Sequence, residues 1–356
     1  MKVSVIGAGN GGQALAGWIA AEGHEVILFD RDANKTSFFR KHPTIHLQGK
    51  VDIEGTIKES TADIHKAVEG IDLIMVATTA TAHRQIASQI AGSLKDGQVI
   101  VLNPGRTGGA LEFRNALIEN GLNARIYLAE AQTLVFACRI IENGKVNIIG
   151  IKDHVLISAI PNSDTEHVIK VLSNFFKCFF PAKNVLQTSL ENIGAMFHPP
   201  VVLFNEAAIE RGNQFYFYRD MTDGLAGVIE SLDKERLAVA NAYGITPLST
   251  FDWVSFAYSG VKGDNLCERM QNNPAYYEIL APRTIFCRQI TEDIPTGIIP
   301  IAELGKVAGV PTPLCDSIET LCSTLLKKDF RKNGRTLSNL GLKGMSKEEI
   351  LNFVGQ

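Results

Sequence analysis

The stretch from Lys2 to Asp30 constrains the fold more than any other part of the chain. Val3, Val5 and Ile6 form the short apolar run of a buried parallel strand, and Gly7-Ala8-Gly9-Asn10-Gly11-Gly12 follows at once with the spacing G-x-G-x-x-G. Gly7 permits a tight turn, Gly9 lets a pyrophosphate approach the backbone, and Gly12 lets a helix pack closely on the strand. A helix starting near Asn10 would aim its free N–H groups and positive dipole end at the phosphates. Gln13 to Ala21 is rich in Ala, Leu and Ile, Gly23 is placed to end that helix, and Glu25 to Phe29 reads as a second strand. Asp30 closes it where a carboxylate accepts hydrogen bonds from the adenosine ribose hydroxyls. The expected cofactor is therefore NAD. Arg31 beside Asp30 would partly offset the repulsion of a 2′-phosphate, so NADP is disfavoured but stays open. A glycine turn that binds nothing, or only a mononucleotide, would not require strand, helix and acid together.

A chain of 356 residues with 45% hydrophobic content is long enough for two domains, each with its own core. The formal net charge of -3 gives no electrostatic reason to expect nucleic acid or an anionic membrane as partner. No apolar run approaches the roughly 20 residues of a membrane span. The first strand starts at the N-terminus with no signal peptide before it, so the cytoplasm is the expected location. Cys138, Cys178, Cys267, Cys287, Cys315 and Cys322 are scattered without a metal spacing. They read as buried free thiols, with no metal expected.

After Asp30 the segment Arg31 to Lys50 is polar and irregular, with a helix around Lys35 to Lys41 as a rim for the adenosine pocket. Ile57 suggests a short strand, and Ser60 to Val68 a helix capped by Thr61. Ile71 to Ala77 is a buried strand, and Thr78-Thr79-Ala80-Thr81-Ala82-His83 is a small hydroxyl-rich loop leaving its carboxyl end. A dinucleotide usually lies against such a loop, which makes Thr78 a cofactor contact. His83 reads as a solvent-facing residue at a helix start. Beyond the strand Gln98 to Leu102 comes a second glycine-rich loop, Asn103-Pro104-Gly105-Arg106-Thr107-Gly108-Gly109-Ala110. It opens a helix, and with Pro104 it could face the nicotinamide half or the substrate; alone it reads equally as a surface loop. Tyr127 to Ala129 is a strand ending at Glu130. Thr133 to Ala137, Asn147 to Gly150 and Val155 to Ala159 alternate with turns such as Asn143-Gly144 and look antiparallel. The fold class is thus α/β: an N-terminal Rossmann dinucleotide-binding domain, residues 1–184, whose parallel sheet is extended by antiparallel strands.

From Val185 onward strands give way to helical patterns, so residues 185–356 form an all-helical C-terminal domain for substrate and catalysis. The first helical run contains Phe197-His198-Pro199-Pro200, where prolines would kink or break the helix and present His198. Imidazole exchanges protons near neutral pH, although the residues alone favour a core or capping histidine near a bent helix. A second polar cluster runs from Arg288 through Glu292-Asp293-Ile294-Pro295 to Gly297. Arginine grips carboxylates through two N–H bonds and a carboxylate can orient a histidine; a surface salt bridge and a turn is the other reading.

Together these segments resemble the opine dehydrogenase family, the octopine/nopaline type, across nearly the whole chain. The resemblance rests on Gly7 to Gly12, Pro104-Gly105-Arg106-Thr107-Gly108-Gly109, Glu130-Ala131-Gln132-Thr133, His198-Pro199-Pro200, and Arg288 with Glu292-Asp293-Ile294-Pro295. It implies that His198 is the catalytic acid/base, that Asp293 pairs with it, and that Arg288 binds substrate carboxylate, with Thr133 also on the substrate side. Gly7, Ala8, Gly9, Asn10, Gly11, Gly12, Asp30, Arg31, Thr78 and Pro104 fall to the cofactor. The implied reaction is NAD(P)H-dependent condensation of an L-amino acid with a 2-oxo acid: an imine forms and takes a hydride to give a secondary amine dicarboxylate. The expected partners are these small molecules, with no nucleic acid and no membrane; a homodimer is compatible with them. Ketopantoate-reductase-like or glycerol-phosphate-dehydrogenase-like enzymes are the nearest alternative, but those would rely on a lysine rather than a histidine. A non-catalytic dinucleotide sensor would not need His198, Arg288 and Asp293 together.

Overall fold

The computed structural model describes residues 1–258 and 260–355. The chain divides into one unit of Met1–Thr188 with the C-terminal residues from Asn352 onward, and a second unit of Ser189–Leu351.

In the first unit, short apolar runs alternate with helices, and such a pattern buries its strands best as a parallel sheet covered on both faces. The elements are β1 (Lys2–Ile6), α1 (Asn10–Ala21), β2 (Glu25–Phe29), α2 (Ala33–Lys41), β3 (Thr44–Gly49), β4 (Ile53–Thr56), β5 (Glu59–Thr61), α3 (Ile64–Val68), β6 (Leu73–Val76), α4 (His83–Ile90), β7 (Val99–Leu102) and α5 (Gly109–Glu119). There follow β8 (Tyr127–Ala131), β9 (Phe136–Glu142), β10 (Lys145–Ile151), β11 (Val155–Ala159), α6 (Thr165–Leu172), β12 (Phe179–Pro181) and α7 (Val185–Leu190). The main sheet has the order β12-β11-β8-β7-β6-β1-β2-β5. From β5 to β8 all neighbours are parallel, in the doubly wound order whose reversal falls between β1 and β6. Ligands bind outside the carboxyl ends of the strands at such a reversal.

Several local expectations are corrected. The antiparallel extension of the main sheet is β11 on β8, but the β9–β10 hairpin does not join it. The hairpin forms a separate sheet, β4-β3-β10-β9, in which β3 comes from the segment Arg31 to Lys50 expected to be irregular. Ile45, Leu47, Val146 and Ile148 from this sheet lie in one apolar cluster with Ala14 and Leu15 of α1, and that burial outweighs the polar composition of the segment. Ile57 falls between β4 and β5, and Ser60 and Thr61 pair with β2. The helix starts only at Ile64, where the Asp63 carboxylate accepts from the N–H groups of His65 and Lys66, a stronger cap than Thr61. Thr133 lies between β8 and β9 instead of on a strand. His83 is buried, its ring edge-on to Phe113 at 6.4 Å, and does not face solvent.

The second unit is helical: α8 (Gly194–Phe204), α9 (Glu206–Glu210), α10 (Asp223–Ala242), α11 (Thr250–Ala257), α12 (Leu266–Gln271), α13 (Arg288–Thr291), α14 (Ile299–Ala308), α15 (Pro313–Leu325) and most of α16 (Lys347–Gly355). The expected break at Pro199-Pro200 is absent, because α8 runs through both prolines. Each proline costs about 3 kcal/mol inside a helix and leaves the carbonyl four residues earlier without its N–H partner. Met196, Phe197, Val201 and Val202 of the same helix are buried, at roughly 1.5–3 kcal/mol apiece, so packing overrides propensity. All six cysteines are free thiols. Among the described residues no helix is long and apolar enough to cross a membrane.

Candidate active site

The first unit gathers the residues expected to hold a cofactor at the carboxyl edge of its parallel sheet. A Cβ on Gly12 would fall 1.6 Å from the Gly7 carbonyl oxygen, so only glycine lets α1 start so close to the end of β1. A Cβ on Gly7 would meet Thr78 Cγ2 at 2.9 Å, which places Thr78 across the reversal between β1 and β6. At Gly9 a Cβ would meet nothing within 4 Å, so open space lies against the backbone at the start of α1. That helix has no side-chain cap and no acidic residue in its first turn, leaving its N-terminal N–H groups and dipole available to an anion. These features fit the diphosphate of a dinucleotide.

Asp30 is tied to the same loop. Its Oδ2 accepts the Ala8 N–H at 2.8 Å, its Oδ1 accepts the Asp32 N–H at 2.9 Å, and Lys35 Nζ stands 3.4 Å away. Arg31 is exposed beside it. Asn10, also expected at the cofactor, turns its side chain to the hairpin, where Oδ1 accepts the Ile140 N–H at 2.8 Å, and only its backbone faces the start of α1. Gln13, missed in the sequence, is fully buried and clamps the same two parts: its amide donates to the Ala8 carbonyl and to Asn143, and accepts from the Gly144 N–H. Leu134 covers Gly11, whose Cβ would approach Leu134 Cδ2 to 2.8 Å.

Pro104 follows β7, and the loop it begins is closed down on Glu130 at the end of β8. Glu130 is fully buried, accepts the Ala110 N–H at 2.7 Å and the Thr188 hydroxyl at 2.5 Å, and leaves no room for a side chain at Gly105. Thr133 accepts from Lys152 Nζ at 3.3 Å, and the same ammonium donates to the Leu134 carbonyl at 2.6 Å. Burial lowers the Lys152 pKa to about 8, and raises the Cys138 thiol beside it to about 11.

The second unit brings His198 and Asp293 together from distant parts of the chain. His198 Nδ1 lies 2.7 Å from Asp293 Oδ2, with side-chain exposures of 21% and 2%. The cause is a close approach one helical turn before His198: a Cβ on Gly297 would lie 2.4 Å from the Cβ of Ala195 in α8. Gly297 belongs to a π-helical turn, Ile294–Ile298, that begins immediately after Asp293 and runs into α14. Such turns widen the helix and re-aim the residues at their ends.

The other nitrogen of His198, Nε2, is 3.0 Å from the Tyr218 hydroxyl. Tyr218 is a partner the sequence reading missed; the signal was the run Phe215-Tyr216-Phe217-Tyr218, four aromatic side chains in succession outside any helix. Its ring stacks on Tyr276 at 4.5 Å, and the Tyr258 hydroxyl donates to that of Tyr276 at 2.8 Å. Burial, aided by the neighbouring phenols Tyr258 and Tyr218, pushes Tyr276 well above the ordinary range for a tyrosine. Arg288 is brought to Glu292 and not to Asp293: its Nε lies 2.7 Å from Glu292 Oε2, and its side chain is 63% exposed.

The helical half matches the family model described as NAD/NADP octopine/nopaline dehydrogenase, alpha-helical domain, over residues 181–326. Residues 2–127 match the model of the NAD-dependent glycerol-3-phosphate dehydrogenase N-terminus. An opine dehydrogenase of Arthrobacter sp. (strain 1C) is 36% identical over 354 residues, covering 99% of this chain and 98% of the relative. A solved octopine dehydrogenase with NADH and L-arginine has the same fold, with a TM-score of 0.81 at 23% identity over 99% of this chain and 98% of that one. A yersinopine dehydrogenase bound to NADP+ aligns with a TM-score of 0.75 at 15% identity, over 100% of this chain and 98% of its own.

Proposed function

The chain belongs to the opine dehydrogenase family of NAD/NADP-dependent dehydrogenases acting on CH–NH bonds, and on that footing we propose that it condenses an L-amino acid with a pyruvate-like 2-oxo acid, NADH being the preferred reductant. The observation that carries this reading is the Asp293–His198 pair, a buried carboxylate on one nitrogen of a partly exposed imidazole. A carboxylate so placed fixes the tautomer and orientation of the ring and balances the charge of the imidazolium when it forms. His198 then manages the protons of the reaction, assisting carbonyl polarisation and the loss of water that gives the imine. Arg288 is the proposed carboxylate anchor: Glu292 holds it through Nε, which leaves the two terminal nitrogens to grip the acid in parallel. Thr133 is a proposed substrate contact on the first unit.

Gly7 to Gly12, Asp30, Arg31, Thr78 and Pro104 are the proposed cofactor contacts, and the bound reduced nicotinamide would supply the hydride. The backbone of Gly9 and Asn10 would receive the diphosphate at the start of α1, while Asp30 would accept from the ribose. A screen following loss of reduced-cofactor absorbance, with 2-oxo acids crossed against the common amino acids, tests the whole proposal. Turnover that needs both substrates supports it. Turnover with an oxo acid alone would make the protein a simple reductase, and no oxidation with any pair would make it a sensor.

A further inference from the structure

The arrangement at His198 poses a problem that the condensation reading leaves open. Imidazole has two ring nitrogens; Nδ1 meets Asp293 at 2.7 Å and Nε2 meets Tyr218 at 3.0 Å, so neither is left for a substrate. Either the tyrosine moves aside or the tyrosine itself meets the substrate. Packing favours the second. Tyr218 is 8% exposed, stacks on Tyr276 at 4.5 Å, and has Phe217 and Phe197 edge-on at 4.8 and 6.2 Å. Tyr276, half-buried, is anchored in turn by Tyr258, so swinging the ring out would dismantle the aromatic cluster around it.

We propose that Tyr218 is a further catalytic residue, the terminal donor of an Asp293–His198–Tyr218 relay whose phenolic oxygen, not the imidazole, touches the substrate. The proposal rests on the condensation reading. The amine adds to the carbonyl carbon of the oxo acid to give a carbinolamine, whose hydroxyl must leave. As the C–O bond breaks, the lone pair on nitrogen forms the C=N bond, and the departing oxygen takes the Tyr218 proton and leaves as water. The Nε2 proton of the imidazolium passes to the Tyr218 oxygen in the same step. His198 ends neutral, still donating from Nδ1 to Asp293, and the positive charge now resides on the iminium that accepts the hydride.

Tyr218→Phe keeps the ring in its stack and removes only the O–H. Its turnover in the condensation direction should fall by roughly 10²–10⁴, the range for a positioned acid, while NADH affinity and the thermal midpoint stay at wild-type values. Tyr276→Phe removes a hydroxyl from the same cluster without touching His198 and should leave turnover unchanged. An equal loss in Tyr276→Phe overturns the relay, because the effect then belongs to the packing of the stack. Wild-type turnover in Tyr218→Phe beside a large loss in His198→Ala also overturns it, and leaves the condensation reading standing. Wild-type turnover in both single variants removes the reading itself.

Discussion

His198 and Asp293 are 95 residues apart in the chain and 2.7 Å apart in space. The pair depends on two elements that each break a local rule: a helix that continues through two prolines, and a π-helical turn that starts just after the carboxylate. Local strain of this kind is kept where the surrounding structure over-determines it.

If the two residues act as a unit, their losses do not add. His198→Ala should lower turnover by roughly 10²–10⁴, and Asp293→Asn in that background should add little. Single-turnover rates of the two single variants and the double variant, with thermal melts as a folding check, measure this. A well-folded His198→Ala protein with near-wild-type rates would sink the assignment.

Gly297 sets the distance between the π-helical turn and α8. Gly297→Ala places two methyl carbons 2.4 Å apart unless the elements separate, and overpacking of this sort costs about 1–3 kcal/mol. Stability and turnover should fall together, since the displaced turn carries Asp293 with it. Adding Ala195→Gly reopens the space and should recover part of both, less the ~0.5–1 kcal/mol that glycine costs inside a helix. A double variant no better than Gly297→Ala would show that the contact does not set the geometry.

Asp30, the proposed ribose contact, is also tied to the glycine loop, since its carboxylate accepts the Ala8 N–H. Asp30→Ala should weaken NADH binding and narrow discrimination against NADPH, because the carboxylate that would repel a 2′-phosphate is gone while Lys35 and Arg31 remain. Titration of both cofactors into wild-type and variant protein decides the matter. Tighter NADPH binding by the wild type would reverse the proposed preference.

Lys152 gives a stability slope with a definite sign. Burial lowers its folded pKa to about 8 from the ordinary 10.5, so between those values the unfolded chain binds more protons than the folded one. Stability from this group therefore rises with pH across that window, and the penalty of the buried charge is fully present below about 8. Compared with Lys152→Met, the wild type should gain in thermal midpoint between pH 8 and 10. Parallel midpoints over that range would mean that the ammonium is not desolvated.

The sequence alone determined the dinucleotide half in outline. A glycine spacing, a following helix and a strand ending in Asp30 lie within thirty residues, and their contacts are local: Gly12 on Gly7, Asp30 on Ala8. His198 was legible beside paired prolines, and Arg288 and Asp293 in a polar cluster, though only a family resemblance joined them. Tertiary structure decided the rest, because it turned on packing between segments distant in the chain. Periodicity could identify the β9–β10 hairpin but not that β10 would pair with β3, since a strand's pattern marks its buried face and not its neighbour. Propensity predicted a broken α8, but propensity is a few kcal/mol per proline, and burial of the helix around it was larger. Tyr218 was marked in the sequence only by its place in a run of four aromatic residues. Its hydroxyl reaches His198 because Phe197, Phe217 and a stack on Tyr276 hold the ring there, a relation that exists only once the chain has folded.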